Sequence, residues 1–148
     1  MPVDFPEVKP FYFGPPNPDG SIGPYMTMSM LNDVDTTIKQ TIQLPNHWTP
    51  SWRAYIIVFP EATGDLRRTI TTNFCAQGEV YNTHTDSIAA GVQAVTLNER
   101  EQIDITAALT GASPGDLVGV QFLRDALTSA LDTVEDIVNY AGILLEVV

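Results

Sequence analysis

The sequence predicts an all-β fold: an antiparallel β-sandwich, jelly-roll-like, with an extended N-terminal arm and one short helix. Three observations support this prediction. Apolar residues recur at every second position in several short segments, turn residues separate these segments, and no long helical patterns alternate with them. A chain of 148 residues, of which 44% are hydrophobic, is also large enough to bury a core as one domain.

Residues 1–35 are predicted to form the arm, and residues 36–148 the sandwich. Ten of the eleven prolines precede residue 61, and seven of them lie within the first 24 residues. Proline fixes φ and lacks an amide proton, so this stretch is unsuited to a helix or a central strand. Aromatic residues, which disordered tails usually avoid, lie between the prolines. We therefore expect Phe11, Tyr12 and Phe13 to contact a surface, either of their own domain or of a neighbouring subunit.

The strands follow from the two-residue period. Residues 52–59 are apolar on both faces, which is typical of a central strand that is covered on both sides. Strands with one apolar and one polar face are predicted at 36–44, 69–76 and 101–109, and further strands at 78–83, 92–97, 117–124 and 139–148. In the last of these, Ala141, Ile143, Leu145 and Val147 are expected to point inward. Residues 113–116 read Ser-Pro-Gly-Asp, which is a tight turn.

One short helix is predicted between the last two strands. Its apolar residues recur at helical spacing: Leu127, Ala130, Leu131, Val134 and Ile137. At the end of the preceding strand, the Arg124 guanidinium could hydrogen-bond the Asp132 carboxylate across this segment and fasten it. The alternative is that Arg124 pairs only with Asp125 or with water at the surface.

Composition excludes several functional classes. The chain has 7 basic and 18 acidic residues, and its cations are scattered, so direct binding to nucleic acid is not expected. No segment approaches eighteen consecutive apolar residues, and the N-terminus lacks the layout of a signal peptide, so neither membrane association nor export is expected. The single cysteine, Cys75, excludes an internal disulfide.

The sequence also predicts a protein that is not an enzyme. It contains two histidines and none of the common catalytic motifs, so we assign no catalytic residue and no cofactor. His84 and Asp86 lie in a segment typical of a polar loop rather than of a catalytic pair. Asp132, Glu135 and Asp136 would share one face of a helix and are a conceivable calcium site. A solvated acidic surface is the simpler interpretation, and we assign no metal site.

Two tryptophans have alternative interpretations. Trp48 and Trp52 flank Pro50 and, with Tyr55, could form an aromatic platform that binds a sugar or a receptor. A tryptophan at the start of a central strand is more often part of the core. We treat Trp48 and Trp52 as candidate partner contacts.

The C-terminal part of the chain resembles a pattern of phage structural proteins. Residues 115–125 read GDLVGVQFLRD, residues 131–133 read LDT, and residues 141–147 read AGILLEV, all preceded by the tryptophan-containing strand at 52–59. These segments resemble the β-sandwich domains of virion proteins of tailed bacteriophages, which include capsid decoration proteins and tail-fibre or baseplate components. The resemblance covers residues 50–148.

The resemblance implies a structural role in the virion. The expected function is that of a capsid decoration, or cement, protein that stabilises the phage head. The alternative is a tail-fibre, baseplate or receptor module that recognises glycans. Expected partners are further copies of the chain, for which a trimer would be suitable, and the major capsid protein or tail proteins. The expected location is the phage particle, after synthesis in the host cytoplasm.

Overall fold

The computed structural model describes residues 9–148, which form two antiparallel β-sheets. The predicted all-β sandwich is confirmed. In chain order the elements are β1 (Phe11–Phe13), β2 (Gly20–Ile22), β3 (Tyr25–Met30), β4 (Thr36–Gln43), β5 (Trp52–Pro60), β6 (Gly64–Cys75), β7 (His84–Val95), β8 (Glu101–Asp104), a 3₁₀ turn (Thr106–Leu109), β9 (Leu117–Arg124) and β10 (Val138–Val147).

Each sheet contains strands from both the N-terminal and the C-terminal half of the chain. The six-stranded sheet runs β2-β3-β10-β5-β8, with β1 also pairing with β10, and the four-stranded sheet runs β4-β9-β6-β7. The antiparallel pairs therefore include β3 with β10, β4 with β9, β5 with β8 and β6 with β7. This nesting is compatible with jelly-roll-like connectivity.

The core lies between the inner faces of the two sheets. Along β4, Ile38 and Ile42 are buried while the alternate residues are exposed, as the two-residue period predicts. The strand β9 buries Val118, Val120 and Phe122 in the same way. Most buried side chains are aliphatic or aromatic, because each sheet must hide one apolar face against the other.

The last strand departs from simple alternation because it contains a β-bulge. Its pairing with β5 shifts register between Tyr140 and Gly142, and Gly142 has a φ of 130°. An extra residue in one strand reverses the side to which the following residues point. Tyr140 and Ile143 therefore both face the core, while Ala141 belongs to a separate cluster on the outer face. The expectation that Ala141 points inward was wrong, and Val147, at 42% exposure, is not a core residue.

The described part of the predicted arm lies on its own domain. The strands β1 and β3 pair with different stretches of the same edge of β10, and β2 pairs with β3. The Phe13 side chain packs against the core, and the Gln40 amide donates hydrogen bonds to the Phe13 and Gly14 carbonyls at 3.1 and 2.7 Å. Residues 1–8, which belong to the same predicted arm, lie outside the described residues.

The predicted helix at 127–137 is wrong. That segment is a loop whose polar backbone groups bond to other parts of the chain. Asp35 accepts hydrogen bonds from the amides of Leu127 and Thr128, and the Arg124 guanidinium donates a hydrogen bond to the Val134 carbonyl. These tertiary hydrogen bonds replace those that a helix would form, so the spacing of apolar residues is not decisive here.

Two predicted strands also differ. Residues 78–83 form turns between β6 and β7, and the segment 101–109 divides into β8 and the 3₁₀ turn. Because a 3₁₀ turn does not alternate its side chains, Ala107 is exposed while the adjacent Ala108 and Leu109 are both buried. Among the residues described, no helix has the length and apolar character needed to cross a membrane.

Candidate interaction surface

The outer face of the six-stranded sheet carries an apolar depression, which we call the outer groove. Its volume is about 330 Å³. It lies over the middle strands β5 and β10 of the sheet. The residues that line it are almost all apolar or aromatic: Tyr12, Tyr25, Ile57, Phe59, Arg100, Ala141 and Leu144.

The floor of the groove follows from the bulge in β10. Ile57 of β5 and Ala141 and Leu144 of β10 form an apolar cluster that is separate from the main core, with exposures of 5%, 2% and 9%. These three side chains lie on the solvent side of the sheet, where polar residues are the usual choice for an antiparallel sheet with one free face. The outer side of β5 is therefore apolar, as the sequence pattern indicates.

Two tyrosines form the walls and are themselves accessible. Tyr12 of β1 and Tyr25 of β3 are each 57% exposed. The Tyr12 hydroxyl donates a hydrogen bond to the Ala141 carbonyl, and partial burial raises the pKa of Tyr12, an effect that the nearby Arg100 charge opposes. The Tyr25 ring lies 5.2 Å from the Phe59 ring, measured between centroids. Both walls are thus held in place by neighbours while their outer faces stay open.

One cationic side chain, that of Arg100, lies at the rim of the outer groove. Arg100 is exposed and lies just before β8. Within residues 9–148 it takes part in neither of the two ion pairs, which join His84 to Glu79 and Arg124 to Asp132. The groove therefore offers an apolar floor, two tyrosine rings and one positive charge, a combination enriched at protein interfaces.

The predicted contact residues have different environments. Phe11 is 41% exposed, with its ring 6.0 Å from the Trp52 ring, and Phe13 is half-buried against the core. Trp48 and Trp52 are 8% and 2% exposed. The Trp52 indole Nε1 donates to the His47 carbonyl at 2.9 Å, which satisfies its one polar atom inside the core. Both tryptophans are thus largely buried and line a separate depression of about 460 Å³, whereas Phe11 and Tyr12 are accessible to a partner.

The structure brings Arg124 and Asp132 together. Arg124 Nε and Nη2 donate to the two Asp132 carboxylate oxygens, each at 3.0 Å, and the side chains are 0% and 2% exposed. The remaining nitrogen, Nη1, donates to the carbonyls of Met30 and Asp136 at 2.7 and 3.0 Å. A buried charge needs this degree of pairing and hydrogen bonding to be tolerated. The pair joins the end of β9 to the loop at 125–137.

His84 and Asp86, the two residues considered as a catalytic pair, each contact other residues. His84 Nε2 lies 3.5 Å from Glu79 Oε1, and its ring stacks on Phe74. Asp86 instead accepts the Ser87 and Thr110 amides at 2.8 and 3.1 Å. Within the described part of the chain, no group of three or more His, Cys, Asp or Glu side chains is arranged to hold a metal ion.

Sequence reasoning identified Tyr12 as a contact residue and missed most of the rest of the groove. The apolar outer face of β5 was a usable signal for Ile57 and Phe59. Tyr25 and Arg100 gave no comparable signal, because their positions depend on which strands neighbour one another. No protein-family model matches the chain, and no similar sequence was found among curated proteins.

Proposed function

We propose that this chain is a non-enzymatic structural protein that acts by binding other protein surfaces, and that its role is to decorate and stabilise the head of a tailed phage. The mechanism is the burial of apolar area, with no bond made or broken. A preformed surface loses little conformational entropy on association. A small apolar patch can therefore support binding when its side chains are already ordered.

The observation that carries this proposal is the outer groove. Solvent-facing apolar residues that are held rigidly and lie together are typical of protein interaction sites. Tyr12 and Tyr25 add ordered aromatic rings, the residue type that most often dominates binding energy at interfaces. Arg100 at the rim favours a partner with a carboxylate near its own apolar contact.

The nested strand pairing supports the virion assignment. Double-sheet jelly rolls occur in viral capsid domains, and also in lectins and cupins, so the fold restricts the function without deciding it. The choice of a capsid role comes from the resemblance of residues 50–148 to phage virion domains. A tail-fibre or baseplate component would use the same groove, and the neighbouring genes separate the two possibilities: a major capsid gene supports decoration, and tail genes support the alternative.

Co-sedimentation with empty shells assembled from the neighbouring capsid protein, without this chain, tests the proposal. Tyr25→Ala removes one wall of the groove and should weaken binding at least about tenfold, which corresponds to about 1.4 kcal/mol. The matched control is Tyr81→Ala, because Tyr81 is 73% exposed in the turns between β6 and β7, away from the groove. No binding by the wild-type chain, or equal losses in the two variants, would refute the proposal.

A further inference from the structure

Four exposed aliphatic side chains lie at one end of the sandwich, on two loops that cross between the sheets. Residues 31–35 join β3 to β4, and residues 125–137 join β9 to β10. The four side chains, which we call the end patch, are 41%, 41%, 66% and 55% exposed: Leu31, Val34, Leu127 and Leu131. Aliphatic side chains that gather on a protein surface are typical of a site of contact with another molecule.

Hydrogen bonds fasten the two loops to each other. The Asp35 carboxylate accepts the Leu127 amide at 2.9 Å, so Val34 and Leu127 lie on neighbouring backbone segments. At the other end of the shorter loop, the Asn32 amide donates to the Glu135 carbonyl at 3.0 Å. The relative position of the two loops is therefore fixed in the folded chain.

Arg124 connects the other two members of the end patch. Its guanidinium donates to the Met30 carbonyl at 2.7 Å and to both oxygens of the Asp132 carboxylate at 3.0 Å. Met30 directly precedes Leu31, and Asp132 directly follows Leu131. One guanidinium thus holds the backbone beside both leucines. Because the loops are already ordered, a partner that binds here loses little affinity to the cost of ordering them.

Negative charge surrounds the end patch. The two loops contain six acidic residues and no basic residue: Asp33, Asp35, Asp125, Asp132, Glu135 and Asp136. Within residues 9–148, Asp132 forms its ion pair with the buried Arg124, and the other five acidic residues take part in no ion pair. The surface therefore offers apolar contacts inside a field of negative sign.

We infer that the end patch binds a basic amphipathic segment of another protein. The apolar side chains of this segment cover the four aliphatic residues, and its Lys or Arg side chains face the surrounding carboxylates. Interfaces are formed where potentials of opposite sign meet, which favours this partner. A second copy of the chain is unsuited to the site, because it brings the same acidic loops and a formal net charge of −11.

This inference goes beyond the proposed function and does not depend on it. The outer groove lies on the face of the six-stranded sheet and has Arg100 at its rim, whereas the end patch lies on loops that contain only acidic charges. The two surfaces therefore select partners of opposite charge. One chain can bind both partners at the same time.

Peptide binding to the full chain tests the inference. The probe is a fluorescently labelled amphipathic peptide of leucine and lysine, and its dissociation constant is measured by anisotropy. Leu127→Ser/Leu131→Ser removes two apolar contacts and should weaken binding at least about tenfold. The matched control is Val80→Ser/Tyr81→Ser, which should leave the affinity unchanged. Val80 and Tyr81 are 65% and 73% exposed in the turns between β6 and β7, at the opposite end of the four-stranded sheet.

The charge of the patch gives a second readout. Glu135→Gln removes one exposed carboxylate of the longer loop and should weaken binding about two- to fivefold at low salt. The difference should disappear at high salt, where exposed charges are screened. Glu99→Gln removes the same charge from an exposed residue outside the two loops and should have no effect.

A peptide in which glutamate replaces every lysine should not bind, because its charge then repels the loops. No binding of the lysine peptide by the wild type, or binding of both peptides alike, would overturn the inference. Equal losses in the two serine variants, or in the two glutamine variants, would overturn it as well. These experiments involve no shells, so the proposed function stands or fails separately.

Discussion

Arg124 and Asp132 form a buried ion pair with two parallel hydrogen bonds, each 3.0 Å long, at the start of the loop between the last two strands. The same guanidinium also donates to the carbonyls of Met30, Val134 and Asp136. One side chain thus supplies donors to two loop carbonyls, those of Val134 and Asp136, and to the Met30 carbonyl at the end of β3. Arg124 thus holds the C-terminal half of the loop, while Asp35 holds its start at Leu127 and Thr128.

Asp132→Asn should therefore destabilise the fold strongly. The substitution leaves the guanidinium buried without its counter-charge, and breaking one partner of a buried pair typically costs about 3–5 kcal/mol. Urea unfolding should show a lower midpoint with an unchanged slope, since the surface exposed on unfolding is the same. The control is Asp125→Asn, because Asp125 is more accessible and its side chain lies outside this pair. A midpoint equal to that of the wild type would show that the pair contributes little.

Gly142→Ala should also be severely destabilising. Gly142 has a φ of 130°, and a Cβ built there would lie 2.1 Å from the Phe13 carbonyl oxygen. The backbone conformation alone costs about 1–3 kcal/mol for a residue with a side chain, and the collision would displace β1 as well. Gly119→Ala is the matched control, since a Cβ at Gly119 has no heavy atom within 4 Å. Thermal unfolding of the two variants compares them directly, and similar melting temperatures would contradict this account.

Tyr140→Phe should loosen β1 as well as lower stability. The Tyr140 hydroxyl donates to Gln40 Oε1 inside the core, and the Gln40 amide in turn holds the Phe13 and Gly14 carbonyls. Burial raises the pKa of Tyr140 far above its usual value, so the hydroxyl stays protonated as a donor. Removing it leaves a buried acceptor without a partner, at a cost of about 1–3 kcal/mol.

Hydrogen exchange distinguishes this effect from a general loss of stability. Amides at residues 11–14 should exchange faster in Tyr140→Phe, while those in the centre of β9 should change only as much as global stability does. Tyr81→Phe removes an exposed hydroxyl and should alter neither region. Uniform acceleration along the chain would argue against a specific link between Gln40 and β1.

Asp35 should give the fold a pH-dependent contribution. Hydrogen bonds from the Leu127 amide and from Thr128 lower the pKa of Asp35 below its model-compound value of 3.8. Because the folded-state pKa is the lower one, the stabilisation is fully present above pH 3.8 and is lost as the pH falls through the folded-state pKa. The difference in urea midpoint between the wild type and Asp35→Asn should therefore shrink in acid. The control is Asp33→Asn, which removes the same charge at a neighbouring exposed position.

The sequence was sufficient to predict those strands whose two faces differ in polarity. Thr36–Gln43 and Leu117–Arg124 alternate cleanly, and the structure reproduces both. The loop at 125–137 was not predictable in this way. Its apolar residues recur at helical spacing. The folded structure shows that the backbone carbonyls of Val134 and Asp136 instead accept hydrogen bonds from the Arg124 guanidinium.

The groove was only partly predictable, for a related reason. An outer apolar face on β5 is visible in the sequence, but the outward turn of Ala141 depends on the bulge at Gly142. A bulge shifts the alternation of inward and outward side chains by one residue, and the amino-acid composition of the strand does not reveal it. The strands of the arm were hidden as well, because their prolines and glycines resemble an unpaired segment until β10 supplies an edge for them.

The pairing of β10 with three other strands has a consequence for biosynthesis. β1, β3 and β5 all bond to residues of β10, so none of them can complete its hydrogen bonding until its part of that strand has left the ribosome. Contacts so distant in sequence are associated with slow folding. The growing polypeptide must therefore keep β3 and β5 from pairing with neighbouring nascent chains, and the net negative charge of the chain favours that separation during translation.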